Sequence, residues 1–127
     1  MPPVARLFLL LGGLLAFAAV LLGAFGAHGL KARLSPELLS VWQTGVQYHF
    51  LHALGLILLG LAMLHLPDSV PLRASAWLMT AGIALFSGSL YVLSLTGQKW
   101  LGAVAPLGGA AFLLAWGAFA WAIYRAP

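Results

Sequence analysis

Residues 7–27 read LFLLLGGLLAFAAVLLGAFGA, 21 residues without a charge between Arg6 and the segment that begins at His28. About 20 apolar residues cross a hydrocarbon core of roughly 30 Å as a helix. A helix also satisfies every backbone N–H and C=O within its own segment, which a membrane demands. A secretory leader is the rival reading, because Arg6 supplies a positive start and small residues follow near Gly26. The apolar part of a leader runs only about 7–15 residues, so 7–27 is expected to be a retained span. The rest of the chain has the same character. Of 127 residues, 63% are hydrophobic and 6% charged, with mean hydropathy +1.04, where a soluble domain carries about a quarter charged residues. Six Lys/Arg and two Asp/Glu cannot solvate a water-exposed surface of this size.

Working outward, Ser35-Pro36-Glu37 is a helix start. Ser35 can cap free amides, Pro36 lacks the amide that would go unpaired, and Glu37 faces the positive helix end. Leu38, Leu39, Trp42 and Val46 recur at helical spacing beside Ser40, Gln43, Thr44 and Gln47, which predicts an amphipathic helix in the headgroup region over about 36–47. A second span is expected over about 48–66, closed by Pro67-Asp68-Ser69 and Pro71. A third runs from about 74 to 95 and a fourth from about 101 to 124, with Trp100, Trp121 and Tyr124 at its ends as interfacial aromatics. The expected fold is therefore all-α. It is a single polytopic domain of four transmembrane helices in a left-handed bundle, with a short interfacial helix between spans 1 and 2.

Packing in lipid relies on small residues and a few hydrogen bonds. Gly12, Ala16, Ala19, Gly23 and Gly26 form a seam of small residues at heptad spacing on the first span. Tyr48, His52, Gly55, Leu59 and Ala62 repeat that spacing on the second, and Thr80, Ala84, Ser87, Tyr91 and Ser94 on the third. Pro106, followed by Gly108-Gly109, predicts a kink in the fourth span. Four spans place both termini on one side. Arg6, Arg73 and Arg125 lie there, and Lys31, Arg33 and Lys99 lie opposite, so the positive-inside rule is tied and only the N-terminal amine favours cytoplasmic termini.

The residues that can carry chemistry gather in one half of this arrangement. His28 ends the first span, and His49 and His52, one helical turn apart, begin the second. Gln47, Ser87, Tyr91 and Ser94 fall on the same side. Ionisable groups within a membrane are functional candidates by default. These side chains can hold a small polar or lipidic ligand, relay protons, or bind haem or metal through His28 with His49 or His52. Equally, the histidines can sit at the water boundary or exchange hydrogen bonds with Ser87, Ser94 and Gln47 and so hold the helices in register. A third class, an oligomeric channel or transporter, would need a continuous wet path through the assembly. His65, beside Asp68, is expected at the opposite interface.

Much else is excluded. With no cysteine there is no disulfide, thiol catalysis or iron–sulfur cluster. The His49-xx-His52 pair lacks the general-base Glu of a zinc protease, and no phosphate-cradling loop or nucleophile elbow occurs. The expectation is a non-enzymatic protein with no cofactor and no metal. Six scattered cations make no nucleic-acid patch. They read as interfacial anchors, with Lys31, Arg33 and Glu37 near anionic lipid heads. Membrane lipids and a second copy, or another membrane protein, are the expected partners.

One family pattern is visible in these residues. Gly23-Ala24-Phe25-Gly26-Ala27-His28-Gly29-Leu30-Lys31 resembles the opening signature of the small integral membrane family known as domain of unknown function 423, similar to transmembrane protein 256. Three further blocks match in order: Gln47-Tyr48-His49 with His52-Ala53-Leu54, then Leu85-Phe86-Ser87-Gly88-Ser89-Leu90-Tyr91, then Pro106-Leu107-Gly108-Gly109. The resemblance implies a small multi-spanning protein, in bacteria one of the inner membrane. It implies no catalytic assignment, and it draws attention to His28, His49, His52, Ser87 and Tyr91.

Overall fold

The computed structural model describes all 127 residues as four long apolar helices with no strand. Helix α1 is Pro3–Leu30, α2 is Pro36–Met63, α3 is Val70–Thr96 and α4 is Lys99–Tyr124. Each runs somewhat past its predicted span on at least one side, because polar helix ends continue into the headgroup region. The starts obey local chemistry. Ser35 Oγ accepts from the Leu38 amide at 3.2 Å with Pro36 and Glu37 in the first turn, and Ser69 Oγ accepts from the Leu72 amide at 3.3 Å. Helix α3 stops at Gly97, whose φ of +73° only glycine adopts without strain and whose amide bonds the Leu93 carbonyl at 2.7 Å.

Two expectations are corrected. The interfacial helix over 36–47 is not a separate element: it is the first three turns of α2, which runs on without a break through His49 and His52. No breaker separates Gln47 from Tyr48. The Trp42 indole N–H also donates to the Leu22 carbonyl of α1 at 3.0 Å, which holds this segment against α1 instead of flat on the surface. Pro106 does not kink α4. The helix opens with a tight turn, Lys99–Ala103, and Pro106 occupies the first turn of the α-helical part, Ala105–Tyr124, where its missing N–H would have had no partner.

Glycines set the heights at which the helices meet. A Cβ on Gly12 would lie 2.8 Å from Ile57, on Gly23 3.2 Å from Val46, on Gly26 2.6 Å from Trp42 and on Gly60 2.7 Å from Leu9. The predicted seam on α1 thus faces α2 along its full length, antiparallel. Gly55 meets Met79 and Gly45 meets Tyr91, which sets α2 against α3. Gly82 meets Phe112, and Gly108 lies directly on the backbone of Phe86, which sets α3 against α4. Helices α2 and α3 are central, with 44% and 33% of their most apolar windows buried, and α1 and α4 flank them with 17% and 22%.

The middle of α3 departs from the α-helix. Residues Ile83–Ser87 form a wide π turn, which delays the helical phase by about one residue. Ala84, predicted on the α3 seam, faces outward, because the buried face of α3 runs through Leu72, Ala76, Met79 and Ile83; the delay then brings Ser87 onto that face. The half of the bundle nearer the termini has an apolar core built on Phe8, Leu56, Met63, Leu72, Met79 and Phe112. Beyond the mid-height the interior turns polar.

Gly108→Ala forces a Cβ into the Phe86 backbone and is expected to cost about 1–3 kcal/mol, as overpacking does. Gly109→Ala meets nothing within 4 Å and should leave stability unchanged, so thermal unfolding of the two variants in matched micelles isolates the contact.

Candidate functional site

Depth follows from register. With Leu9 against Gly60 and Gly12 against Ile57, Arg6 lies beside Met63 of α2. Arg73 lies close to the same height, so the two charges mark one membrane boundary. Roughly 30 Å of hydrocarbon takes about 20 helical residues, and the opposite boundary therefore falls near residue 42 of α2, beside His28. His52 then sits at the midplane and His49 one turn away. The expectation that His49 and His52 begin a span next to His28 is corrected: they occupy the middle of a 28-residue helix. His28 is exposed at the end of α1, about 12 Å along the axis from the height of His49.

His52 is 2% exposed and fully engaged. Its Nε2 accepts from the Trp116 indole N–H of α4 at 3.0 Å, so the ring proton is on Nδ1, which donates to the Tyr48 carbonyl at 2.8 Å. The imidazole lies on the Phe112 ring, centroids 3.5 Å apart and planes 8° from parallel. The neutral tautomer is fixed from both sides, because an indole can only donate. No lone pair is left for a metal.

His49 turns to another flank. Its Nδ1 is 2.8 Å from the Tyr91 hydroxyl of α3, and Tyr91 packs on Trp42 with ring centroids 4.7 Å apart. Its Nε2 is buried with no hydrogen-bond partner, although the Leu15 carbonyl of α1 lies beside the ring. Ser87 Oγ, wholly buried at the π turn, donates to the Gly45 carbonyl of α2 at 2.7 Å. Ser75 Oγ similarly ties α3 to the Ala115 carbonyl of α4 at 2.6 Å.

The structure therefore brings together His49, Tyr91 and Trp42 on one side of α2 and His52, Trp116 and Phe112 on the other, with Ser87 bonded to α2 from α3. Ser94 is buried but bonds the Leu90 carbonyl of its own helix at 2.7 Å, and Gln47 is exposed on the outer face. The ligand pair of His28 with His49 or His52 is not assembled, and no group of three or more His, Cys, Asp or Glu side chains converges. The expected hydrogen bonds from the histidines to Ser87, Ser94 and Gln47 do not form either: both serines bond backbone carbonyls, and the histidines bond Tyr91, Trp116 and the Tyr48 carbonyl. His65 is exposed near Asp68 and Arg125, around a recess of about 670 Å³ at the terminal end.

Sequence reasoning missed Trp116, Phe112 and Ser75. Trp116 carried a signal: a tryptophan far from either end of a span needs an acceptor for its N–H, unlike one in the interfacial belt. Trp116→Phe removes that donor and leaves His52 Nε2 bare. The expected loss is about 0.6 kcal/mol, within a ceiling near 1.7 for hydrogen bonds between membrane helices. In ¹⁵N spectra, His52 Nε2 should resonate as an unprotonated, hydrogen-bonded nitrogen, and Trp116→Phe should shift that signal alone.

Comparison with known proteins agrees with this architecture. Over 111 residues, 87% of this chain, it is 50% identical to the UPF0382 membrane protein YwdK of Bacillus subtilis, covering 90% of that protein. It is 43% identical to a UPF0382 membrane protein of Staphylococcus haemolyticus and 44% identical to one of Staphylococcus aureus, in each case over 87% of this chain and 89% of the relative. No solved structure matches the chain. Residues 22–109, from the last turns of α1 through Gly108 and Gly109, match the family described as protein of unknown function, DUF423. The chain is a membrane protein of the DUF423 family.

Proposed function

We propose that this chain is a non-enzymatic protein of the bacterial inner membrane whose midplane network of His49, His52, Tyr91, Trp116 and Ser87 locks α2, α3 and α4 into one packing. One observation carries this reading. In a cluster whose residue types suit ligand binding, nearly every polar atom is consumed by a bond within the chain. Each such bond reaches a helix neighbour or the chain's own backbone, and the rings around them stack closely. A catalytic group needs a free valence facing a space for substrate, whereas His52 and Ser87 have neither. Dense contact of Gly82 and Gly108 with Phe112 and Phe86 at the same height also argues against a water path through a single chain.

A second reading is favoured by His49 Nε2, the one buried side-chain atom left without a partner. A buried polar group in that state costs about 1–3 kcal/mol, so a small ligand bearing a hydroxyl or carbonyl would recover energy there. The N-terminal amine, the charge left over when three cations balance three, favours termini in the cytoplasm.

The lock reading predicts that Tyr91→Phe lowers stability by about 0.6 kcal/mol. It further predicts that the double variant His49→Leu/Tyr91→Phe recovers most of the loss, since removing both partners leaves nothing unpaired. Unfolding in bicelles measures both. Native mass spectrometry of gently extracted protein separates the second reading: a bound mass present in the wild type and absent from His49→Leu would favour ligand binding over a purely structural lock.

A further inference from the structure

At the terminal end, the α2–α3 loop and the end of α4 enclose the recess of about 670 Å³. One wall carries His65, Asp68 and Val70, and the other carries Trp121 and Arg125. The loop wall is set in advance. The His65 and Leu66 amides bond the Ala62 carbonyl, the Ser69 amide bonds the Leu66 carbonyl, and Pro67 and Pro71 stiffen the turn. On the other wall the Arg125 guanidinium lies over the Trp121 ring, 5.6 Å from its centroid.

Charge is scarce in this chain, with six Lys/Arg and two Asp/Glu. Arg125 and Asp68 nevertheless line one recess and form no ion pair with each other. Each stands at the helix end whose dipole it complements, Asp68 just before α3 and Arg125 just after α4. That accounts for each charge by itself, and not for a shared recess that holds them apart. Depth narrows what can enter. Met63 lies at the boundary marked by Arg6 and Arg73, and His65 and Asp68 follow it in the chain. The recess therefore opens in the headgroup layer.

An anion by itself would meet the Asp68 carboxylate, and a cation by itself would meet Arg125. A headgroup that carries both a phosphate and a primary ammonium matches the two charges together. The guanidinium fork suits phosphate, and an ammonium brings three N–H donors to a carboxylate. Val70 and Trp121, 66% and 54% exposed in the same recess, supply apolar surface for the chain-bearing end of such a lipid.

We infer that this recess binds the headgroup of an aminophospholipid, the phosphate against Arg125 and the ammonium against Asp68. The assignment is independent of the midplane lock, since none of its residues belongs to that network.

Native mass spectrometry of delipidated protein, offered lipids of matched acyl chains, tests it. Phosphatidylethanolamine should bind about threefold more tightly than phosphatidylcholine, which has no N–H, and than phosphatidylglycerol, which has no ammonium. That is the size of one exposed charge pair. Asp68→Asn should remove the preference without weakening phosphatidylglycerol, and Arg125→Gln should weaken all three lipids about threefold. Val70→Trp, which fills the recess and keeps both charges, should weaken phosphatidylethanolamine likewise. Arg6→Gln, at the same boundary but outside the recess, should change nothing. Equal retention of the three lipids by the wild type, a preference that survives Asp68→Asn, or Arg6→Gln acting as strongly as Arg125→Gln would each overturn the site. Free phosphoethanolamine retained as tightly as the lipid would overturn the lipid as occupant in favour of a soluble one.

Discussion

A polar atom in hydrocarbon has no water to turn to, and this chain places two histidines, a tyrosine, a tryptophan and several serines there. Every other feature of the bundle accommodates that fact. His52 holds the indole of Trp116 with one nitrogen and the Tyr48 carbonyl with the other. Ser87 and Ser75 spend their hydroxyl protons on carbonyls of neighbouring helices. Helix–helix association in lipid gains little from apolar burial, so these few directional bonds contribute specificity that apolar contact cannot.

Such bonds form only where backbones come close, which explains the glycines and the π turn together. Gly108 lets α4 rest on the backbone of Phe86, and Gly45 and Gly55 admit Tyr91 and Met79. The extra residue at Ile83–Ser87 rotates the second half of α3, bringing Ser87 onto Gly45 and Tyr91 onto His49. An undisturbed α3 would instead have presented Phe86 and Leu90 on that face. The half near the termini keeps a regular α3, and its helices meet through Phe8, Leu56, Leu72 and Met79, with Gly12 and Gly60 bringing α1 onto α2.

Part of this architecture is legible in the amino-acid sequence. The uncharged run at 7–27, the Ser35-Pro36-Glu37 start and the Gly12-to-Gly26 seam each depend on local pattern, and the helices carry all three. Pro106 is ambiguous in sequence, because a proline near the fourth span's start fits equally an interior kink or a first turn. Only the end of the preceding turn decides which. The polar stripe at Ser40, Gln43, Thr44 and Gln47 points to an interfacial helix, yet its periodicity is the same whether the helix lies flat or stands upright. Trp42, bonded to Leu22, resolves that choice.

The sequence by itself determined that the chain crosses a membrane four times as helices, because length and apolarity of a segment are properties of the segment alone. It also determined which residue types could be costly there. Only the tertiary structure decided how that cost is met. Which partner a buried nitrogen or hydroxyl finds depends on the heights at which antiparallel helices meet and on their rotation, and these are set by contacts between residues as far apart in the chain as His52 and Trp116. It separated His28 from the other histidines, satisfied His52 on both sides, and left His49 Nε2 buried without a hydrogen-bond partner in the chain.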